Sequence, residues 1–86
     1  MDKGRTLMYI REVLNKVEQA NKYCKQDYEF NGYTLQALKS PCFTGEMCFS
    51  VKVYYDTELV FSMHCRTNRN VSITGIINIL EGALVW

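Results

Sequence analysis

The sequence predicts a single α+β domain over residues 1–86, in which an antiparallel sheet lies between an N-terminal and a C-terminal helix (α-β-β-β-β-α). Three observations predict it: apolar residues recur with a helical period at the start, alternate with period two through the middle, and regain helical spacing at the end. The 86 residues suffice for one domain, and the balance of 48% hydrophobic and 22% charged residues excludes a disordered tail. We expect both helices on the apolar face of the sheet.

The first helix is predicted over about residues 6–25. Its apolar residues lie three, four, three and seven positions apart, which forms one stripe along a helix. The stripe consists of Leu7, Ile10, Leu14, Val17 and Cys24. Asp2 and Thr6 both suit an N-cap, so two starting points remain open.

A tight hairpin follows the helix. Asn31 and Gly32 both tolerate positive φ and are the strongest short-range signal for a two-residue turn. The pairs predicted around this turn are Phe30 with Tyr33 and Tyr28 with Leu35. Residues 40–45 then form a loop, because Pro41 and Gly45 interrupt the alternation.

A longer hairpin joins strands at residues 47–55 and 59–65. A two-residue turn at Asp56 and Thr57 would bury the wrong face, so we predict a three-residue loop that also includes Glu58. The predicted pairs are Tyr55 with Leu59, Val53 with Phe61 and Val51 with Met63.

The last segment, residues 71–86, fits two structures. Its isoleucines and leucines form a helical stripe with Asn70 as a possible N-cap. Its β-branched residues, with Gly75 and Gly82, favour a strand or a break instead. We favour the helix.

The N-terminus lacks the apolar core of an export signal, and no segment is apolar and long enough for a membrane anchor. We therefore expect the chain in the cytoplasm, the host cytoplasm if a phage encodes it. The formal net charge of +1 excludes both the strong basic field of most nucleic-acid binders and the acidic field of a nucleic-acid mimic.

Four cysteines, Cys24, Cys42, Cys48 and Cys65, allow three states. A reducing cytosol favours four thiols over disulfides. Zinc is the other alternative, but the spacing lacks the C-x2-C pairs of zinc ribbons, and His64 and Cys65 point to opposite faces of a strand. We predict reduced thiols, no metal site and no cofactor.

The polar side of the long hairpin is the candidate binding surface. The residues predicted to meet a partner are Lys52, Tyr54, His64 and Arg66, extended by Arg69. Tyrosine and arginine often dominate protein interfaces, whereas the simpler alternative is a solvated face. Lys52, Arg66 and Arg69 form a modest basic patch here, and we predict a protein partner.

Trp86 offers a second surface at the end of the chain. Its ring either packs back on the sheet or contributes to an interface, and we assign it to an interface. A homodimer would help so small a chain bury more apolar surface.

Two other functions remain open. A small RNA-binding domain would use Lys52, Arg66 and Arg69; the element order resembles the double-stranded-RNA-binding domain, but residues 70–75 (NVSITG) replace that family's lysine run. A thiol enzyme would pair Cys48 with His64 across the strands, yet the sequence supplies no orienting third group or oxyanion site. We therefore predict no catalytic residues and no enzyme.

The chain also resembles small inhibitor proteins of phages and mobile elements, of the anti-CRISPR type. The resemblance is carried by residues 9–16 (YIREVLNK) in a first helix, an antiparallel sheet, and residues 76–80 (IINIL) in a last helix. It implies a protein that blocks a surface or an assembly step of a host defence complex, without the acidic charge of DNA mimics.

Overall fold

A computed structural model describes residues 2–66 and 72–86 and has the predicted α-β-β-β-β-α order. The elements are α1 (Lys3–Glu18), β1 (Cys24–Phe30), β2 (Tyr33–Pro41), β3 (Met47–Tyr55), β4 (Glu58–Arg66) and α2 (Ile73–Ala83). The strands form one antiparallel sheet in the order β1-β2-β3-β4. The predicted fold class is confirmed. Arg69 and the possible cap Asn70 lie outside the described residues.

Helix α1 begins at the earlier of the two predicted starts. The side chain of Asp2 caps it by accepting a hydrogen bond from a backbone N–H of the first turn. The helix ends at Glu18, well before residue 25, because Asn21 stands where the stripe requires an apolar residue and the Lys39 ammonium donates to the carbonyl of Glu18. Cys24 therefore starts β1 and is not part of the helical stripe, which corrects the prediction.

The first hairpin has the predicted register. Phe30 pairs with Tyr33 and Tyr28 with Leu35. Asn31 and Gly32 have φ of 50° and 82°, the positive values that a tight two-residue turn requires. Turn chemistry and the burial of Phe30, Tyr33 and Leu35 on one face favour the same pairing.

The second hairpin reaches its predicted register by another route. The predicted pairs Val53–Phe61 and Val51–Met63 are present, but Tyr55 pairs with Glu58 across a two-residue turn, so the three-residue loop is wrong. A β-bulge beside Val53 and Tyr54 takes up the extra residue. Asp56 lies in this two-residue turn with φ of 60°, a positive value that aspartate tolerates. The turn therefore stays short, and the extra residue lies in the strand pairing and not in the loop.

The last segment is helical. Ser72 caps α2 by accepting a hydrogen bond from the N–H of Gly75 at 2.9 Å. The two helices run antiparallel, as shown by the 3.3 Å ion pair of Lys3 with Glu81 and the 3.2 Å hydrogen bond from Arg11 to Thr74. Among the described residues, neither helix has the length and apolar character needed to cross a membrane.

Both helices contribute to one core on one face of the sheet. Its fully buried members include Ile10 and Leu14 of α1, Leu35, Val51 and Val53 of the sheet, and Leu80 of α2. Burial of this set supplies the hydrophobic stabilisation of the fold. The opposite face, which we call the open face, has no helix of the described chain packed against it.

Candidate functional site

The strand register arranges the open face into four rows, three of which cross all four strands. One central row consists of Lys25, Leu38, Ser50 and His64. The row beside it consists of Asp27, Gln36, Lys52 and Ser62. Glu29, Thr34, Tyr54 and Leu59 follow on the side of the two hairpin turns, and Ser40, Cys48 and Arg66 on the opposite side. Alternation along the strands places these residues away from the core.

Four of the five predicted binding residues belong to these rows. Lys52, His64 and Arg66 are exposed and Tyr54 is half-buried. Arg66 lies 3.9 Å from the carboxylate of Glu46, measured from Nη1 to Oε2. Arg69 lies outside the described residues, so the predicted surface is described without it, and its role in binding stays a prediction.

The open face carries charges of both signs. Lys52 and Arg66 share the face, as predicted, but Asp27 and Glu29 lie on it too, towards the Asn31–Gly32 turn. Lys25 and Arg66 lie nearer the other end of the strands, where Glu46 approaches Arg66, and Lys52 is in the same row as Asp27. The face therefore carries charges of both signs, and the modest basic patch expected from the later residues alone is an incomplete description.

A shallow depression of about 180 Å³ lies near the middle of the open face. Its lining residues are Tyr23, Lys25, Gln36, Leu38, Ser50 and Lys52. Sequence reasoning missed the contribution of Tyr23 and of the first hairpin. The signal was present in part, because the Asn31–Gly32 turn fixes Lys25 opposite Leu38 once the register is extended along the strands.

A disulfide joins Cys42 to Cys48 at one corner of this face. The Cα atoms are 5.7 Å apart, within the range that a disulfide spans. The Gly45 N–H donates to the Cys42 carbonyl at 3.0 Å, which folds the connecting loop and brings the two cysteines together. The prediction of four reduced thiols is therefore wrong for this pair. A reducing cytosol rarely keeps such a bond, and the cytoplasmic location stays a prediction.

His64 lies beside this disulfide. A ring nitrogen of His64 and the sulfurs of Cys42 and Cys48 all lie within 4.8 Å of one another. Cys48 is only 4% exposed although it lies on the open face, whereas Cys42 is half-buried and His64 exposed. The predicted Cys48–His64 neighbourhood is thus present, with the Cys48 sulfur bonded to Cys42. This cluster combines the donor types that bind soft and borderline metal ions.

The C-terminal residues pack back on the sheet. The ring of Trp86 stacks on Phe30 with the centroids 5.5 Å apart, and its Nε1–H donates to the Glu81 carbonyl at 3.1 Å. The Val85 N–H donates to the Tyr33 hydroxyl at 2.9 Å. The Trp86 ring therefore packs back on the sheet, which is one of the two alternatives. The ring stays partly exposed, and its role in an interface stays a prediction.

Comparisons with known proteins give no relative on which a function can be based. No protein-family model, no curated protein and no solved structure matches the chain. The open face and the cysteine cluster are therefore the features of the chain that bear on its function.

Proposed function

We propose that the chain is a non-enzymatic binding module that holds a protein partner on the open face of its sheet. The difference between the two faces carries this proposal. One face packs against both helices, whereas the other presents charges of both signs around a depression whose lining includes Leu38. Such a face offers a partner groups of both charge signs around an apolar side chain.

The chemistry of the open face favours a partner with acidic side chains opposite the depression. Lys25 and Lys52 both line it and can each donate to one carboxylate, while the aliphatic part of that side chain contacts Leu38. Tyr23 and Tyr54 supply large, rigid contact area next to these lysines. The carboxylates of the face would meet cationic residues of the same partner, which fixes its orientation.

RNA binding on the same face is the second candidate, and the charges disfavour it. RNA affinity grows with the number of phosphates neutralised. The face offers Lys25, Lys52 and Arg66, but Asp27 and Glu29 oppose them and Glu46 approaches Arg66 at 3.9 Å. A partner with charges of both signs suits this face better than a polyanion does.

The narrower form of the proposal is a phage-type inhibitor of a host defence complex, acting in the host cytoplasm. It rests on the resemblance in element order and on the lack of a recognisable catalytic constellation in the sequence. Homodimer formation is a separate proposal, which measurement of the molar mass in solution tests directly.

Affinity capture from candidate host lysates, with quantitative mass spectrometry, tests the binding face. The test variant combines Lys52→Ala with Tyr54→Ala, and the matched control combines Lys16→Ala with Tyr9→Ala on the exposed side of α1. Loss of about 2 kcal/mol at one central residue weakens binding roughly 30-fold. We expect a protein that wild type and the control retain and the open-face variant loses.

Two controls decide between the candidates. Melting temperatures of both variants are measured beside wild type, because Tyr54 is half-buried and the Tyr9 ring packs against Tyr28, and capture is compared at a temperature at which every variant stays folded. Retention of the same protein by the open-face variant contradicts the proposal. Capture that disappears after ribonuclease treatment and weakens steeply with salt supports RNA binding instead.

A further inference from the structure

We propose that Cys42, Cys48 and His64 form a zinc site that opens when the disulfide between the two cysteines is reduced. This inference shares only His64 with the binding proposal and needs no partner, so zinc binding is tested on the isolated chain. One ring nitrogen and two sulfurs lie within 4.8 Å of one another. The spacing of these residues in the sequence does not predict the site, because Cys42 lies in a loop, Cys48 in β3 and His64 in β4.

The distances suit a tetrahedral ion with little movement of the chain. Zinc bonds of about 2.0–2.3 Å place neighbouring ligand atoms about 3.3–3.8 Å apart. Cys48 and His64 are fixed on paired strands, one row apart on the same face. Cys42 lies beyond the end of β2, in the loop, so its sulfur can move away from Cys48 to the ligand spacing without breaking strand pairs.

The donor set selects the metal. Two thiolates and one imidazole are ligands for Zn²⁺, which has no redox chemistry and therefore leaves reduced thiolates intact. Three protein ligands occupy three of four tetrahedral positions and leave the fourth to solvent. The exposed side of the cluster, at His64, provides access for the ion and for that solvent molecule.

The redox step balances with a dithiol as the reductant. One thiolate of the dithiol attacks the half-buried Cys42 sulfur, and the Cys48 sulfur leaves as a thiolate. The second thiol of the reductant then displaces Cys42, so the reductant becomes a disulfide and both cysteines are reduced. Binding of Zn²⁺ to the two thiols releases two protons to solvent.

Zinc titration of the full chain against a chromophoric chelator tests the site. The chain is reduced anaerobically with a phosphine and compared with the untreated, oxidised chain. We expect one Zn²⁺ per reduced chain and none on the oxidised chain. Co²⁺ in place of zinc should give the visible bands of a tetrahedral ion and thiolate charge-transfer absorption.

His64→Ala is the decisive variant because the exposed histidine can be removed without opening the core. It should weaken zinc binding by at least about 100-fold, since even outer-shell changes cost 10–100-fold in affinity. Cys24→Ser is the matched control, because Cys24 packs against the core and lies outside the cluster. Zinc affinity equal to wild type in His64→Ala, loss of binding in Cys24→Ser, or no zinc on the reduced chain overturns the proposal.

Discussion

Replacing Trp86 with alanine should destabilise the chain, because this ring fastens the C-terminus to the sheet. The ring stacks on Phe30 at 5.5 Å and its Nε1–H donates to the carbonyl of Glu81 at 3.1 Å. Terminal residues usually fray unless they are held by such contacts. The Val85 N–H, held by the Tyr33 hydroxyl, shows that the segment before the ring is docked too.

The contacts set the size of the effect. Truncation of a fully buried tryptophan to alanine costs about 3–5 kcal/mol. Trp86 is half-buried, and its hydrogen bond is solvent-exposed, so we take roughly half of that range, about 2 kcal/mol. For a domain of 86 residues this corresponds to a fall in melting temperature of roughly 8–16 °C.

Thermal unfolding followed by circular dichroism measures the loss. Trp86→Phe keeps the stacking and loses the indole donor, so it should cost about 1 kcal/mol or less. Val85→Ala removes a side chain that is 76% exposed and should change stability by less than about 0.5 kcal/mol. A Trp86→Ala melting temperature within about 2 °C of wild type would refute the docking argument. A loss that depends on protein concentration would instead indicate the predicted interface role.

Two further substitutions test the ends of elements. Lys39 is 4% exposed and donates to the carbonyl of Glu18 at the end of α1. Lys39→Met keeps the aliphatic stem and should lower the free energy of unfolding in urea by about 1 kcal/mol. An unchanged urea midpoint would show that the desolvation cost of the ammonium cancels the gain from this contact. Gly32→Ala should cost about 1–2 kcal/mol, since φ is +82° and the new Cβ would lie 3.2 Å from the Tyr55 ring. Gly45→Ala has φ of +87° but open space around it, so it should cost less; equal losses in thermal melts would contradict the steric part.

The parts of the fold that follow from local signals could be predicted. Hydrophobic period identifies both helices and the alternating strands, and the Asn31–Gly32 turn favours the same register as that alternation. The end of α1 could not be predicted in the same way. It depends on Lys39, which reaches the carbonyl of Glu18 from β2 across 21 positions of the sequence.

The candidate site shows the same division. Alternation along the long hairpin suffices to place Lys52, Tyr54 and His64 on one face. The depression is also lined by residues of β1 and β2. Alternation within each strand does not predict that β2 lies beside β3 in the sheet. The disulfide needs the loop after β2 to fold back, and the hydrogen bond from Gly45 to Cys42 that folds it leaves no periodic signal in the sequence.

The two proposals share His64, so zinc binding should affect partner binding at this residue and leave the contacts of the other binding residues unchanged. His64 lies in the same row as Lys25 and also offers a nitrogen to the cysteine cluster. An imidazole that binds zinc through one ring nitrogen no longer offers that nitrogen to a partner, and only its other N–H can still donate, so metal loading of the reduced chain restricts what His64 contributes to the open face. Lys52 and Tyr54 lie in the neighbouring rows, outside the ligand set, and keep their contacts. Zinc should therefore weaken partner capture by no more than His64→Ala does, whereas Lys52→Ala should weaken capture by the same factor with and without zinc.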